Sequence, residues 1–297
     1  MEDVHVCLLG AGDAAADGAE GSSVSHFAIY DGHGGCSCAQ FVSQRLHEAV
    51  LAAGLLTGKA DAHGESSGGA ATTDCKAQQQ QQQQQQGWQL DVKAAKQAII
   101  QAFASVDEQL LKQCKQLNWQ DGATAVAVWV VGPDKALVAN VGDAKCVLAR
   151  APEKAGSSSL RALVLTKDHL AIYPGERLRI QKAGGHVSAD GRLNGRIQVS
   201  RAFGDAQFKP FGSSAVPDVT AFSISSKDKF MLCACDGFWG VMDPQATVEL
   251  VQQQLQAGKD EKAITNKLIN EAVIERRSKD NCTVMLVRFE RPQDASL

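Results

Sequence analysis

The sequence predicts an α+β fold in which blocks of strands are layered against paired helices. Three observations carry this. Apolar runs of strand length recur between short turns, at 27–30, 123–131, 135–141 and 231–235. Longer stretches with apolar residues every three or four positions lie between those blocks. Helix punctuation falls where the pattern changes, with Asp243 before Pro244 and Gly184-Gly185 after Lys182. No internal repeat is visible.

In chain order, the run at 27–30 leads into Asp31-Gly32-His33-Gly34-Gly35. A helix is predicted over 40–56, with Phe41, Leu46, Val50 and Leu51 on its apolar face, and another over 91–116, with Val92, Ile99, Phe103, Val106 and Leu110. Between them, from about 57 to 87, the chain is rich in Gly, Ala, Ser and Thr and ends in an unbroken glutamine tract. Such a segment has almost nothing to bury and is predicted to be a disordered insertion. It reads either as a surface loop expansion, cheap because closure entropy grows slowly with length, or as a glutamine interaction tract. The runs 123–131, 135–141, 146–149 and 160–165, with turn residues at Gly132-Pro133 and Gly142-Asp143, read as an antiparallel meander. Helices follow at 174–182, 244–256 and 260–277.

Composition permits a globular enzyme without choosing one. The 297 residues are 44% hydrophobic, enough for a full core, and a net charge of -3 gives no basic field for nucleic acid. No apolar run approaches the roughly 18 residues of a membrane span. The start lacks the basic and apolar regions of a secretion signal. The expectation is a soluble, monomeric protein of cytoplasm, nucleus or both, with no nucleic acid or membrane partner. Cys146, Cys233, Cys235 and Cys282 lie in apolar strand-like runs, where reduced cysteine acts as a small hydrophobe. Cys36 and Cys38 have no second cluster with which to complete a zinc site.

Four aspartates, Asp31, Asp143, Asp236 and Asp280, each stand beside a glycine or asparagine, and the first three end apolar runs. Buried strands deliver such carboxylates to the rim of a core, where they repel one another unless cations sit between them. Oxygen-only ligation selects hard ions such as magnesium or manganese.

The ordered set Met1-Glu2-Asp3, Asp31 to Gly35, Asp121-Gly-Ala-Thr-Ala125, Ala139-Asn-Val-Gly-Asp143, Asp168-His169, Ala183-Gly-Gly185, Val199-Ser-Arg-Ala-Phe-Gly-Asp205, Val216-Pro-Asp218, Cys235-Asp-Gly237 and Asp280-Asn281 resembles the type 2C metal-dependent serine/threonine protein phosphatases. The resemblance runs from the first residue to about Arg288, skipping only the glutamine-rich insertion. Arg179 to Gly185 and Val284-Met-Leu-Val resemble the integrin-linked-kinase-associated subgroup most.

The resemblance implies a four-layer α-β-β-α sandwich, two antiparallel sheets flanked by pairs of antiparallel helices. It implies a single phosphatase domain over 1–292, followed by a short tail at 293–297. It also implies signalling by hydrolysis of phosphoserine and phosphothreonine on protein substrates. Asp31 would bridge two Mg2+ or Mn2+ ions, with Glu2 and the Gly32 carbonyl completing one site and Asp236 and Asp280 the other. Asp3 would be an acid behind them, and Asp143 with Asp236 would match a weaker third-metal site. A water or hydroxide bridging the ions would attack the phosphoryl group directly, with His33 as general acid.

Arg192, Arg196 and Arg201 border the expected substrate region and are read as solvated or salt-bridged. Asp205 and Asp218 are assigned to turns, His169 to structure, and Thr124 to an internal hydrogen bond. The family's usual arginine two positions before Met-Glu-Asp, which binds the substrate phosphate, has no counterpart because the sequence begins at Met1. That departure reads as a fragment or misassigned start. It also keeps open a catalytically impaired, phosphatase-like scaffold. Gly240 stands where many relatives carry an acid, and Leu170-Ala171 replace the usual Lys-Pro.

Overall fold

The computed structural model describes residues 1–10, 23–59, 89–153 and 159–290. The predicted insertion falls outside them from residue 60 onward, as does the short tail. The chain forms β1 (Val4–Leu8), β2 (Val24–His33), α1 (Ser37–Ser43), α2 (Leu46–Ala52), β3 (Gly58–Lys59), β4 (Gln89–Leu90) and α3 (Val92–Leu117). Next come β5 (Gly122–Val131), β6 (Lys135–Val141), β7 (Lys145–Arg150), β8 (Arg161–Val164), α4 (Pro174–Lys182) and β9 (Phe203–Gly204). The last are β10 (Asp218–Ser223), β11 (Asp228–Ala234), α5 (Asp236–Trp239), α6 (Pro244–Gln256), α7 (Glu261–Asn270) and β12 (Val284–Arg288).

One antiparallel sheet has the spatial order β1-β2-β5-β6-β10, with β9 paired to the start of β5; the other has the order β12-β11-β7-β8. Helices α1 to α3 cover the outside of the first sheet, and α6 and α7 cover the second. This is the expected α+β sandwich of two antiparallel sheets between helices. The strand runs are apolar throughout because the first sheet is buried on both faces. In β5, Ala125, Ala127 and Trp129 pack toward the helices, while Val126 and Val128 pack toward the other sheet. In β2, Ala28 and Tyr30 divide from Phe27 and Ile29 in the same way. A strand without a solvated face loses its alternating signal.

The helix predicted over 40–56 is two helices. In an unbroken helix Phe41 and Leu46 would point roughly 140° apart, so both could not face the sheet. The break at Gln44-Arg45 resolves this: Arg45 N–H bonds to the Val42 carbonyl at 3.0 Å, and its guanidinium lies 3.9 Å over the Phe41 ring. Phe41, Leu46 and Val50 are then all buried. The helix predicted over 260–277 is α-helical only through Asn270 and widens into a π turn at Glu271–Glu275, closed by Arg276 N–H on the Glu271 carbonyl. Helix α3 matches its predicted span and is capped by Asp91, whose carboxylate accepts from the Lys93 and Ala94 amides.

Candidate active site

The ends of β2, β6 and β11 open at one end of the sandwich, and the segment before β12 joins them. A cavity of about 560 Å³ there is lined by Glu2, Asp31, Gly32, His33, Asp143, Asp236 and Asp280. Strand pairing sets the first of these: Asp31 lies opposite Thr124 on β5, and His33 opposite Gly122. Asp143 follows the β6 run, where Gly142 has φ +95°. Asp236 opens α5 directly after β11, which pairs with β12 from Ala234 opposite Val284. Asp280 sits on the exposed segment before β12, its Oδ1 accepting from the Asn281 amide at 2.7 Å.

That segment approaches α5 so closely that a Cβ on Gly237 would stand 2.1 Å from the Asn281 carbonyl oxygen. Only glycine fits. The chain start is tied to the same place: Glu2 N–H donates to Asn281 Oδ1 at 2.7 Å, and Thr283 Oγ1 donates to Asp3 Oδ2 at 2.6 Å. These long-range bonds bring Glu2, 278 positions before Asp280, to the same cavity wall.

The electrostatics there are frustrated. Burial, then the carboxylates of Asp236 and Asp3, push the Asp31 carboxyl far above the usual range. Burial and Asp236 likewise raise Asp143 to about 7. Asp3 Oδ1 is buried without a hydrogen-bond partner. Carboxylates this close need a proton or a cation between them. The wholly oxygen donor set and the orphaned Asp3 oxygen fit a hard divalent ion. Among the described residues, no three His, Cys, Asp or Glu side chains already stand together as a cage for an ion.

His33 faces this cavity with a partner that sequence reasoning missed. Its Nε2 lies 2.9 Å from Asp205 Oδ2, and Asp205 is only 1% exposed. Burial alone would lower the imidazole's pKa, but the Asp205 hydrogen bond and the charges of Asp205, Asp143 and Glu2 raise it. The assignment of Asp205 to turn support is therefore corrected. It does turn the chain, with φ +50° and its amide bonded to the Asp121 carbonyl, and its carboxylate also orients His33. The pair fits because β5 presents Gly122 beneath it, where a Cβ would come within 2.5 Å of both His33 Nε2 and Asp205 Cγ. No local pattern announces a contact across 172 positions.

Other expectations divide. Arg201 is salt-bridged, as expected, to Glu176 Oε1 at 2.7 Å and Asp218 Oδ1 at 2.9 Å. Asp218 begins β10 and serves that ion pair rather than a turn. His169 is structural, its Nδ1 accepting from the Gly142 amide at 3.2 Å. Thr124 is corrected: its buried Oγ1 has no hydrogen-bond partner and it lines the cavity. Cys38 donates from sulfur to the Asp121 carbonyl at 3.1 Å.

The sandwich with an acidic cavity at one end fits the class of hydrolases that work with a divalent metal. Comparison with known proteins narrows this class. Residues 60–282 match the protein phosphatase 2C family. The chain is 46% identical to "Probable protein phosphatase 2C 67" of Oryza sativa subsp. japonica, over 98% of this chain and 72% of that protein. It is 44% identical to "Probable protein phosphatase 2C 8" of Arabidopsis thaliana, over 98% of this chain and 75% of that one. The expected likeness to the integrin-linked kinase-associated phosphatase is present at 34% with the Homo sapiens protein, over 97% and 69%. Among solved structures, a serine-threonine phosphatase 2C from Toxoplasma gondii shares the fold with a TM-score of 0.71 at 20% identity, over 97% of this chain and 99% of that one. The chain belongs to the protein phosphatase 2C family and is a serine/threonine protein phosphatase of that type. The family implies a divalent metal, Mg2+ or Mn2+, and phosphoprotein substrates.

Proposed function

We propose that the chain hydrolyses phosphoserine and phosphothreonine on proteins with two divalent ions, using His33 as general acid. The observation that carries this is the convergence of Glu2, Asp31, Asp143, Asp236 and Asp280 on one cavity with the His33–Asp205 pair. Asp31 would bridge the ions, Glu2 and the Gly32 carbonyl would hold one, and Asp236 and Asp280 the other. Asp143 with Asp236 would take a weaker third, and Asp3 stands behind them. When bound, divalent cations supply Lewis acidity, lowering the pKa of water and neutralising phosphoryl charge.

The protein's own groups handle the proton. Asp205 engages Nε2 of His33 and stabilises the imidazolium, which leaves Nδ1 to protonate the departing seryl or threonyl oxygen. The carboxylate of Asp205, almost wholly buried, fixes the ring and its tautomer. The open cavity admits a side chain presented on another protein.

A second reading, a phosphatase-like scaffold, draws support from one observation: the carboxylates do not already form a three-ligand cage among the described residues. Manganese-dependent release of phosphate from a phosphothreonine peptide, abolished by Asp31→Ala, separates the two. Wild type and variant equally silent, with no calorimetric signal for manganese, leave only the scaffold.

A further inference from the structure

Two arginines, Arg192 and Arg196, line the cavity's outer wall, with Arg201 behind it, and of these three only the Arg196 guanidinium has no partner among the described residues. Arg201 is engaged by Glu176 and Asp218. Arg192 holds its own loop, with Nη1 donating to the Arg196 carbonyl at 3.0 Å and Nε 3.3 Å from Asp190 Oδ2. Arg196 lines the cavity and is exposed, and among the described residues its guanidinium has no ion pair or hydrogen bond.

The loop beneath Arg196 is braced by its own hydrogen bonds and by one buried side chain. Leu193 N–H donates to the Ile197 carbonyl at 2.7 Å, Arg196 N–H to the Leu193 carbonyl at 3.0 Å, and His186 N–H to Asn194 Oδ1 at 3.0 Å. Leu193 is fully buried in a small cluster with Ala171, Ile180 and Phe208. An unpaired guanidinium on a fixed platform is set to receive an anion from outside the chain, since little loop entropy is lost on binding.

We propose that Arg196 recognises an acidic side chain flanking the phosphorylated residue of the substrate. The proposal rests on the phosphatase reading above and names a sequence preference of that same site. Arg196 stands exposed on the rim, while Asp31 and Asp143 lie deeper, so a phosphoryl group placed among those carboxylates leaves the arginine to a neighbouring residue. A planar fork of donors suits a carboxylate in two-point contact.

The test compares wild type, Arg196→Ala and Arg196→Glu, all with saturating manganese. The substrates are phosphothreonine peptides carrying Glu, Ala or Lys at each flanking position, and p-nitrophenyl phosphate. Expected for wild type is a preference for Glu over Ala of about three- to tenfold in kcat/KM at one or two positions, mainly through KM and shrinking with added salt. Arg196→Ala should erase it, Arg196→Glu should turn it toward Lys, and turnover of the small ester should stay within about twofold. An unchanged peptide preference in Arg196→Ala overturns the proposal. So does an equal loss on the small ester, which would place the arginine on the phosphoryl group itself. Silence of wild type toward ester and peptides alike overturns the phosphatase reading and this proposal with it, whereas ester turnover without acid preference overturns the proposal alone.

Discussion

Two groups of acids in this protein shift in opposite directions, and the contrast separates structure from chemistry. Glu176 is buried, which would raise its pKa, yet hydrogen bonds from Arg201, Ser200 and Arg179 hold it down at about 2. Asp218, against the effect of partial burial, is also lowered by His169 and Arg201. Asp31 and Asp143, which line the cavity, are raised by burial and then by the charge of Asp236. The first group is complete within the chain: each carboxylate has its arginine. The second is complete only when something positive enters, which is the mark of a site rather than a brace.

The sharpest way to break the contrast is Asp31→Ala. In the second group, removing the acid should abolish phosphatase activity, a loss of roughly 10³-fold or more in kcat, because the group that would join the two ions is gone. The metal-free protein should not be destabilised through charge, since the acid removed is one that burial and its acidic neighbours already disfavour as a carboxylate. Its melting temperature should hold or rise by a few degrees, while the rise produced by manganese in wild type should shrink. A variant that melts far earlier than wild type in the absence of metal would place Asp31 among the braces.

Arg201→Ala should do the reverse. It strips Glu176 and Asp218 of their shared partner, but Glu176 keeps Arg179 and Ser200, so the cost should be about 1.5–3 kcal/mol in stability. Catalysis per folded molecule should fall far less than in Asp31→Ala, since Arg201 reaches the cavity only through its neighbours. Chemical denaturation alongside single-turnover rates checks this, and a rate loss matching that of Asp31→Ala would move Arg201 into the site.

Asp205→Asn tests the one acid that belongs to both descriptions, buried and partnered yet facing the cavity. The amide keeps shape but no longer balances an imidazolium, so kcat should fall roughly 10- to 100-fold with KM little changed. The alkaline side of the pH–rate profile should move to lower pH, since the charged form of His33 has lost its support. A profile that stays in place would reduce Asp205 to a turn former.

How much of this the sequence makes legible follows the same division. Asp31, Asp143 and Asp236 are marked by apolar runs that stop at an acid, because a strand ending at a core rim leaves that signature in one dimension. The sandwich follows from the same runs. What does not show is pairing across the chain: His33 with Asp205, Glu2 with Asn281, Arg201 with Glu176. Those contacts depend on which strand neighbours which, and β1 itself, short and half exposed, carries no strong pattern at all. The break between α1 and α2 was hidden for a related reason, since the apolar spacing fits one helix loosely and only the position of the sheet forces two.

The smallest expected effect lies away from both acid groups, in a buried stack of His26, His47 and Trp129. The His26 ring lies 4.7 Å from each of the other two, its Nδ1 donates to the Val128 carbonyl at 3.1 Å, and Trp129 Nε1 donates to His47 Nδ1 at 3.3 Å. Burial, then the neighbouring His47, lowers the His26 pKa from 6.5 to about 3. Between those values the unfolded chain takes up a proton that the folded chain refuses, so stability is full above about pH 6.5 and declines as the pH falls. The slope should reach about 1.4 kcal/mol per pH unit from His26 alone. Glu176 adds its own loss only lower, as the pH drops from about 4.5 toward 2. Urea unfolding at pH 7.5, 6 and 5 should therefore show a decline in wild type that His26→Phe flattens, since a ring of similar size keeps the stack without a site for the proton. Parallel declines in the two proteins would mean that His26 takes up its proton as readily in the folded state as in the unfolded one, and that this end of the sandwich tolerates charge as the acid cavity does not.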